Sequence, residues 1–166
     1  MNKYGILGWP LERSYSPIIH TFLLKHASIE GKYELIRMNE INNKNIEQIN
    51  KSYYGYNITI PYKEKILEVC EEAHLDVHVK KIGSVNTVKN KDGVTSFYNT
   101  DYLGFLNFLE IINFNPEGRK IMILGSGGSS KSINYALNLV KGEATIISRT
   151  NKEEAISYQD LNERAN

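Results

Sequence analysis

The 166-residue chain has a single cysteine, Cys70, which excludes an internal disulfide, and no metal-ligand spacing surrounds it. Such a lone cysteine is expected to be a buried structural thiol. An excess of either charge is also lacking: 20 Lys and Arg stand against 19 Asp and Glu, a net charge of +1, with the two signs mixed along the chain. No polybasic face suits nucleic acid or an anionic membrane, so a small-molecule partner is expected. The N-terminus carries no charged leader followed by a long apolar stretch, and neither a signal peptide nor a membrane span is expected. The cytoplasm is the expected compartment. Internal repeats and long low-complexity tracts are absent. His20, His26, His74 and His78 share no catalytic spacing and read as structural or surface groups. The single tryptophan, Trp9, is expected to pack under the first loop.

What is present is an alternation of short apolar runs with segments of helical period, the pattern of an α/β protein with a mainly parallel sheet. Residues 4–7, 33–38 and 56–60 read as strands. Between the first two, Ser16 is the expected N-cap with Pro17 at the first helical position. Ile18, Ile19, Phe22 and Leu23 then form the expected buried face. Pro61 repeats the arrangement for a helix carrying Ile66, Leu67 and Val69. Runs 84–89 and 94–98 flank Asn90-Lys91-Asp92-Gly93, whose Asp-Gly pair favours a tight hairpin. Apolar residues recur at helical spacing over 101–112 until Asn115-Pro116-Glu117-Gly118 ends the run. Strand 121–124, helix 129–140, strand 144–147 and a further strand at 155–158 follow, the opening of a doubly wound dinucleotide-binding sheet. The expected architecture is a three-layer αβ domain with a mostly parallel sheet over 1–100 and a connecting helix and linker over 101–117. The first half of a Rossmann-type domain follows over 118–166. So few parallel strands leave an edge and one face uncovered, so the second domain reads as incomplete or as covered by a partner.

Gly125-Ser126-Gly127-Gly128-Ser129-Ser130 lies between a strand and a helix, where backbone N–H groups meet a pyrophosphate at the helix N-terminus. It departs from G-x-G-x-x-G at its last position, Ser130, a small residue. An acid at the end of the next strand would bond the ribose 2′-hydroxyl of NAD, but Ser148-Arg149-Thr150 contains none. Arg149 offers a planar fork for a 2′-phosphate, with Ser148 and Thr150 as hydroxyl donors. NADP is therefore the expected cofactor, held by Gly125, Ser126, Gly127, Gly128, Ser129, Ser148, Arg149 and Thr150. Asn57, Thr59 and Asn86 stand at strand ends, the usual place for a ligand crevice in an open α/β sheet. Ser14 and Ser16 are placed to present hydroxyls and a helix N-terminus to a carboxylate.

Four stretches precede the glycine loop: Ser14-Tyr15-Ser16-Pro17, Asn57-Ile58-Thr59-Ile60-Pro61-Tyr62-Lys63-Glu64, Gly83-Ser84-Val85-Asn86-Thr87 and Asn99-Thr100-Asp101. In order and spacing the five resemble shikimate dehydrogenase across nearly the whole chain. The resemblance implies reduction of 3-dehydroshikimate to shikimate with NADPH. It places Ser14 and Ser16 on the substrate carboxylate, Asn57, Thr59 and Asn86 on the ring hydroxyls, and Lys63 with Asp101 as the catalytic pair in contact with substrate. Reducing a ketone by hydride requires a proton at the developing alkoxide, and an ammonium both stabilises that charge and donates. A lysine in a first helical turn is ordinarily solvated and an aspartate before a helix ordinarily caps it. The surrounding Asn57, Thr59 and Asn86 tip the reading toward chemistry. The chain departs from the family at Arg13, where a histidine is common, at Ser148, where an asparagine is usual, and at Lys152, out of register with a second basic residue. Two further readings stay open. One is a quinate/shikimate dehydrogenase using NAD, against which Arg149 argues. The other is a ligand-binding module without turnover, because the family continues beyond the length of this chain and returns a final helix to the substrate domain. Either a monomer or a homodimer is compatible with these features.

Overall fold

A computed structural model describes residues 1–71, 74–149 and 155–164, the last three by backbone alone. The chain divides into two units, Met1–Lys80 with Val85–Tyr98 and Lys81–Ser84 with Asn99–Asn166. The first contains β1 (Asn2–Gly8), α1 (Ser16–His26), β2 (Gly31–Arg37), α2 (Asn43–Ser52), β3 (Gly55–Ile58) and α3 (Tyr62–Lys65), which tightens into a 3-10 turn at Ile66–Glu68. Then come α4 (Val77–Ile82), whose last two residues belong to the second unit, β4 (Thr87–Lys91) and β5 (Val94–Tyr98).

The sheet order is β2-β1-β3-β4-β5. β1 runs parallel to β2 and β3, and the β4–β5 hairpin adds two antiparallel strands. Asp92 and Gly93 close that hairpin with φ of 52° and 79°, the two positive values that a two-residue type I′ turn needs. Alternate residues bury both faces of the sheet. Leu7, Ile36, Tyr56 and Ile58 pack with Ile46 and Ile49 of α2 and with Tyr62 and Ile66, while Ile6 and Tyr33 pack on the opposite side with Leu24 of α1.

Five expectations need correction here. Ser16 does not cap α1: Tyr15 already has helical φ and ψ, so the helix starts a residue early and no side chain occupies its N-cap. Ile18, Ile19, Phe22 and Leu23 do not form a buried face and are 50–70% exposed. The stripe turned toward the sheet is Ser16, Pro17, His20 and Leu24, at helical spacing, because polar contacts described below hold it there. Trp9, expected under the first loop, is 44% exposed. Residues 84–86 stay outside β4 because Val85 N–H turns to the Lys63 carbonyl at 2.7 Å. Cys70 is partly buried, its Sγ 3.7 Å from the Leu67 carbonyl.

The second unit contains α5 (Asp101–Ile111), β6 (Lys120–Leu124), α6 (Gly128–Leu139), β7 (Glu143–Ser148), β8 (Ala155–Ser157) and α7 (Tyr158–Arg164). The strands form a parallel sheet in the order β6-β7-β8. Ile123 and Ile146 pack against Leu109 of α5 and Leu137 of α6. Ser132 and Ala136, both fully buried, give α6 a small-residue surface, and the Tyr102 and Tyr135 rings meet edge to face at 5.4 Å.

Among the described residues β6 has a strand on one side only, and its outward residues Met122 and Leu124 are 61% and 70% exposed. Backbone groups on an open edge exchange with solvent through local opening. Hydrogen exchange on the 166-residue chain is therefore expected to be slow in β1 and β3 and faster in β6. Equal protection of β1 and β6 in a protein that sediments as a monomer would contradict this. Among the described residues no helix is long and apolar enough to cross a membrane, and no cluster of His, Cys, Asp or Glu is arranged to hold a metal ion.

Candidate functional site

Three of the sequence stretches meet in the first unit. Ser16 N–H donates to Ser14 Oγ at 3.1 Å, so Ser14 serves the backbone at the start of α1 and leaves the Ser16 hydroxyl to point elsewhere. The Ser16 side chain acts on the Tyr33 hydroxyl, which donates to Asn57 Oδ1 at 2.6 Å. Asn57 Nδ2 donates to the Asn86 carbonyl and to Thr87 Oγ1, each at 3.3 Å. The Thr87 hydroxyl donates to Asn86 Oδ1 at 2.9 Å. A single directed run of hydrogen bonds thus leads from Tyr33 to Asn86, which is only 7% exposed. The Asn57 carboxamide, expected to face a ligand, spends both amide hydrogens and one oxygen lone pair inside this run.

Thr59 and Lys63 are placed by backbone contacts. Thr59 N–H donates to the Leu7 carbonyl at 2.9 Å, extending the parallel ladder past β3. A Cβ on Gly8 would lie 2.5 Å from Thr59 Cγ2 and 2.9 Å from the Ile60 carbonyl, so only glycine lets this segment close over the end of β1. Lys63, half-buried in α3, is tied through its carbonyl to Val85, and Ile58 N–H reaches the Asn86 carbonyl at 2.8 Å. Stretches 57–63 and 85–87 are therefore held edge to edge. Arg13 is exposed.

Tyr33 and His20 were not among the expected site residues. The His20 ring stacks on the Tyr33 ring at 4.2 Å between centroids with 4° between planes. Two signals were available: His20 lies one helical turn after Ser16, and Tyr33 lies two residues before Leu35 on the same side of β2. Burial pushes the Tyr33 hydroxyl above its ordinary range, against the opposing effect of the Ser16 bond, and keeps it a neutral donor. Burial lowers the His20 imidazole below 6.5. The unfolded chain then binds a proton there before the folded one does, so stability falls as pH drops from about 6.5 through the folded value. In urea titrations across this range, His20→Phe is expected to keep the stack and flatten that part of the pH dependence. An unaltered slope would remove His20 from it.

In the second unit, the cap of α5 comes from Asn99 and not from Asp101. Asn99 Oδ1 accepts Asp101 N–H at 3.0 Å, and Asn99 Nδ2 donates to the Ser84 carbonyl and to Ser132 Oγ, both at 2.9 Å. Asp101 is the first residue of α5 and half-buried. The glycine loop leaves β6 at Gly125, whose φ of 113° requires glycine and whose N–H donates to the Ile147 carbonyl at 2.8 Å. Gly127 is the N-cap of α6, with no side-chain cap and no acid in the first turn. Its φ is −87° and a Cβ there would meet no atom within 4 Å, so neither conformation nor packing accounts for glycine. Open space beside an uncapped helix N-terminus fits a dinucleotide pyrophosphate.

Ser126 and Ser148 share a hydroxyl–hydroxyl bond of 2.9 Å, and Ser148 is buried at 5% exposure, so it braces the loop. Ser129 and Arg149 are exposed, and Gly128 begins α6. Thr150 and Lys152 lie outside the described residues.

Comparison with known proteins gives these positions a context. Residues 6–88 match the family model described as the shikimate dehydrogenase substrate binding domain. Over 165 residues the chain is 36% identical to the shikimate dehydrogenase (NADP(+)) of Caldicellulosiruptor bescii, covering 97% of this chain and 57% of that protein. Over 168 residues it is 37% identical to that of Clostridium perfringens strain 13, covering 98% and 60%. The crystal structure of shikimate 5-dehydrogenase from Thermus thermophilus in complex with NADP(H) and shikimate superposes with a TM-score of 0.81 at 30% identity, covering 90% of this chain and 57% of that one. The chain thus spans somewhat under two thirds of the length of these relatives. With half of its residues matched by the family model and the superposition extending over 90% of its length, the chain belongs to the shikimate dehydrogenase family.

Proposed function

We propose that this chain supplies the substrate-binding part and the beginning of the cofactor-binding part of an oxidoreductase that reduces 3-dehydroshikimate to shikimate with NADPH. In this reading 1–100 form the substrate domain, 118–166 open the NADP domain and 101–117 connect them. The observation that carries it is the hydrogen-bond run from Tyr33 through Asn57 and Thr87 to Asn86, with the Lys63 carbonyl bonded to Val85 N–H. This supports the reading, since the run links groups suited to ring hydroxyls and the backbone bond holds the lysine's segment next to Asn86.

Ser14 and Ser16 are assigned the carboxylate, Thr59 and Asn86 the hydroxyls, and Asn57 the orientation of its neighbours more than direct contact. Lys63 donates the proton to the alkoxide oxygen as the carbonyl carbon gains a hydride. Asp101 is assigned a substrate hydroxyl. Gly125, Ser126, Gly127, Gly128 and Ser129 are assigned the pyrophosphate, with Ser148 bracing that loop, and Arg149 with Thr150 the 2′-phosphate. The dinucleotide, when bound, supplies the hydride.

The test is loss of NADPH absorbance with 3-dehydroshikimate, run on this chain and on a fusion that supplies the remaining length of the relatives. Turnover by the fusion supports the assignment. Oxidation of quinate with NAD and no reaction of 3-dehydroshikimate would replace it with the quinate reading.

A further inference from the structure

We infer that Tyr33 is a positioning residue of the substrate site, one that joins its carboxylate end at Ser16 to its hydroxyl end at Asn86 by fixing the orientation of the Asn57 carboxamide. The inference rests on the shikimate reading for what the site holds, and on geometry for the linkage itself.

The Tyr33 hydroxyl stands between two groups on different elements. The Ser16 side chain of α1 acts on it, and it donates to Asn57 of β3 at 2.6 Å, the shortest link between Tyr33 and Asn86. An asparagine side chain presents an acceptor on one side and donors on the other, and turning it over exchanges them. With Tyr33 donating, Oδ1 must face β2, and Nδ2 must then face the Asn86 carbonyl and Thr87 Oγ1. Thr87 Oγ1, receiving from Asn57, directs its own hydrogen to Asn86 Oδ1 at 2.9 Å. The direction of every bond after Tyr33 therefore follows from Tyr33 being a donor. Its ring is held independently: it is 9% exposed, packs with Ile6 and Leu11, and is covered by His20 at 4.2 Å. His20 and Ser16 lie one turn apart on α1, so the same helix face covers the ring and acts on its hydroxyl. This also accounts for α1 turning its more polar stripe inward.

Bonds in one directed chain do not act separately, and loss of a central link is felt at both ends. The test uses the 166-residue chain with Tyr33→Phe, which keeps the ring and the stack and removes the hydroxyl. In the ligand-free protein, the Asn57 side-chain amide hydrogens, followed by nitrogen-resolved NMR, are expected to exchange faster with solvent and to shift, while the backbone amide signals around the His20 stack stay in place. In shikimate titrations, Ser16→Ala and Asn86→Ala are expected to be non-additive by about fivefold in the presence of Tyr33 and additive once Tyr33→Phe is introduced. A purely structural tyrosine would weaken binding without changing that additivity. Unchanged Asn57 amide signals in Tyr33→Phe overturn the proposal. If Tyr33→Phe does not fold, Thr87→Val breaks the next link away from the stack and is expected to release the same Asn57 amide; no change there overturns the proposal equally. Failure of the parent chain to bind shikimate would sink the substrate reading, while the amide signals still decide whether Tyr33 sets the carboxamide.

Discussion

Lys63→Ala, in a fusion that supplies the remaining length of the relatives, is expected to lower kcat by about 10²-fold or more with a smaller change in KM. The reason lies in when the ammonium acts. A substrate ketone carries little charge before hydride arrives, whereas the alkoxide that follows is fully anionic, so a donor at that oxygen contributes mainly in the transition state. Lys63 is suited to this by its half-buried position in α3, anchored through its carbonyl to Val85 at 2.7 Å. Lys63→Arg keeps the charge but not the compact three-donor head, and is expected to recover little. Asp101→Asn, at the residue assigned a substrate hydroxyl contact that would hold before and during reaction, should raise KM as well as lower kcat. Steady-state kinetics on the three variants decide the matter. An unchanged kcat in Lys63→Ala would take the proton-donor role away from this residue.

Arg149→Ala is expected to weaken NADPH by about 1.5–3 kcal/mol, the scale of a hydrogen bond to a charged group, and to leave NADH nearly unaffected. Arg149 is exposed at the end of β7, where its side chain supports no core, so its removal leaves the fold intact. The pyrophosphate contacts assigned to the glycine loop are common to both cofactors, and the 2′-phosphate is the feature that separates them. Fluorescence titration of each cofactor measures the difference. Equal losses for both would mean that Arg149 serves the pyrophosphate or the loop.

Much of the fold was legible because local chemistry and tertiary structure agree. Asp92-Gly93 permits one tight hairpin, and the apolar run before Gly125 with a helical pattern after it has little alternative to strand, loop and helix. α2 was not legible: Asn43–Ser52 has three asparagines and only Ile46 and Ile49 as buried apolar residues. Its start is secured by an Asn42–Asn45 capping box, a version in which asparagine replaces the usual Glu or Gln. α4, six residues long, is too short for periodicity to register. α1 was found but turned the wrong way, since apolarity favoured Ile18, Ile19, Phe22 and Leu23, whereas Ser16 and His20 are drawn inward by a tyrosine on another strand. The same reason hides Tyr33. Its role depends on partners 17 and 24 residues away, in Ser16 and Asn57, that no local pattern links to it.

The placement of Lys81–Ser84 bears on how this polypeptide can be subdivided. Ile82, 5% exposed, is buried with Tyr102 and Ala136, and the Ser84 carbonyl is bonded by Asn99, all of them in the second unit. The chain leaves the first unit at Lys80, re-enters it at Val85 for the hairpin, and leaves again after Tyr98. A gene fragment cut after Tyr98 would therefore carry an orphaned Ile82 and an unbonded carbonyl at Ser84. Excising the first unit cleanly calls for a short polar bridge between Lys80 and Val85 in place of 81–84.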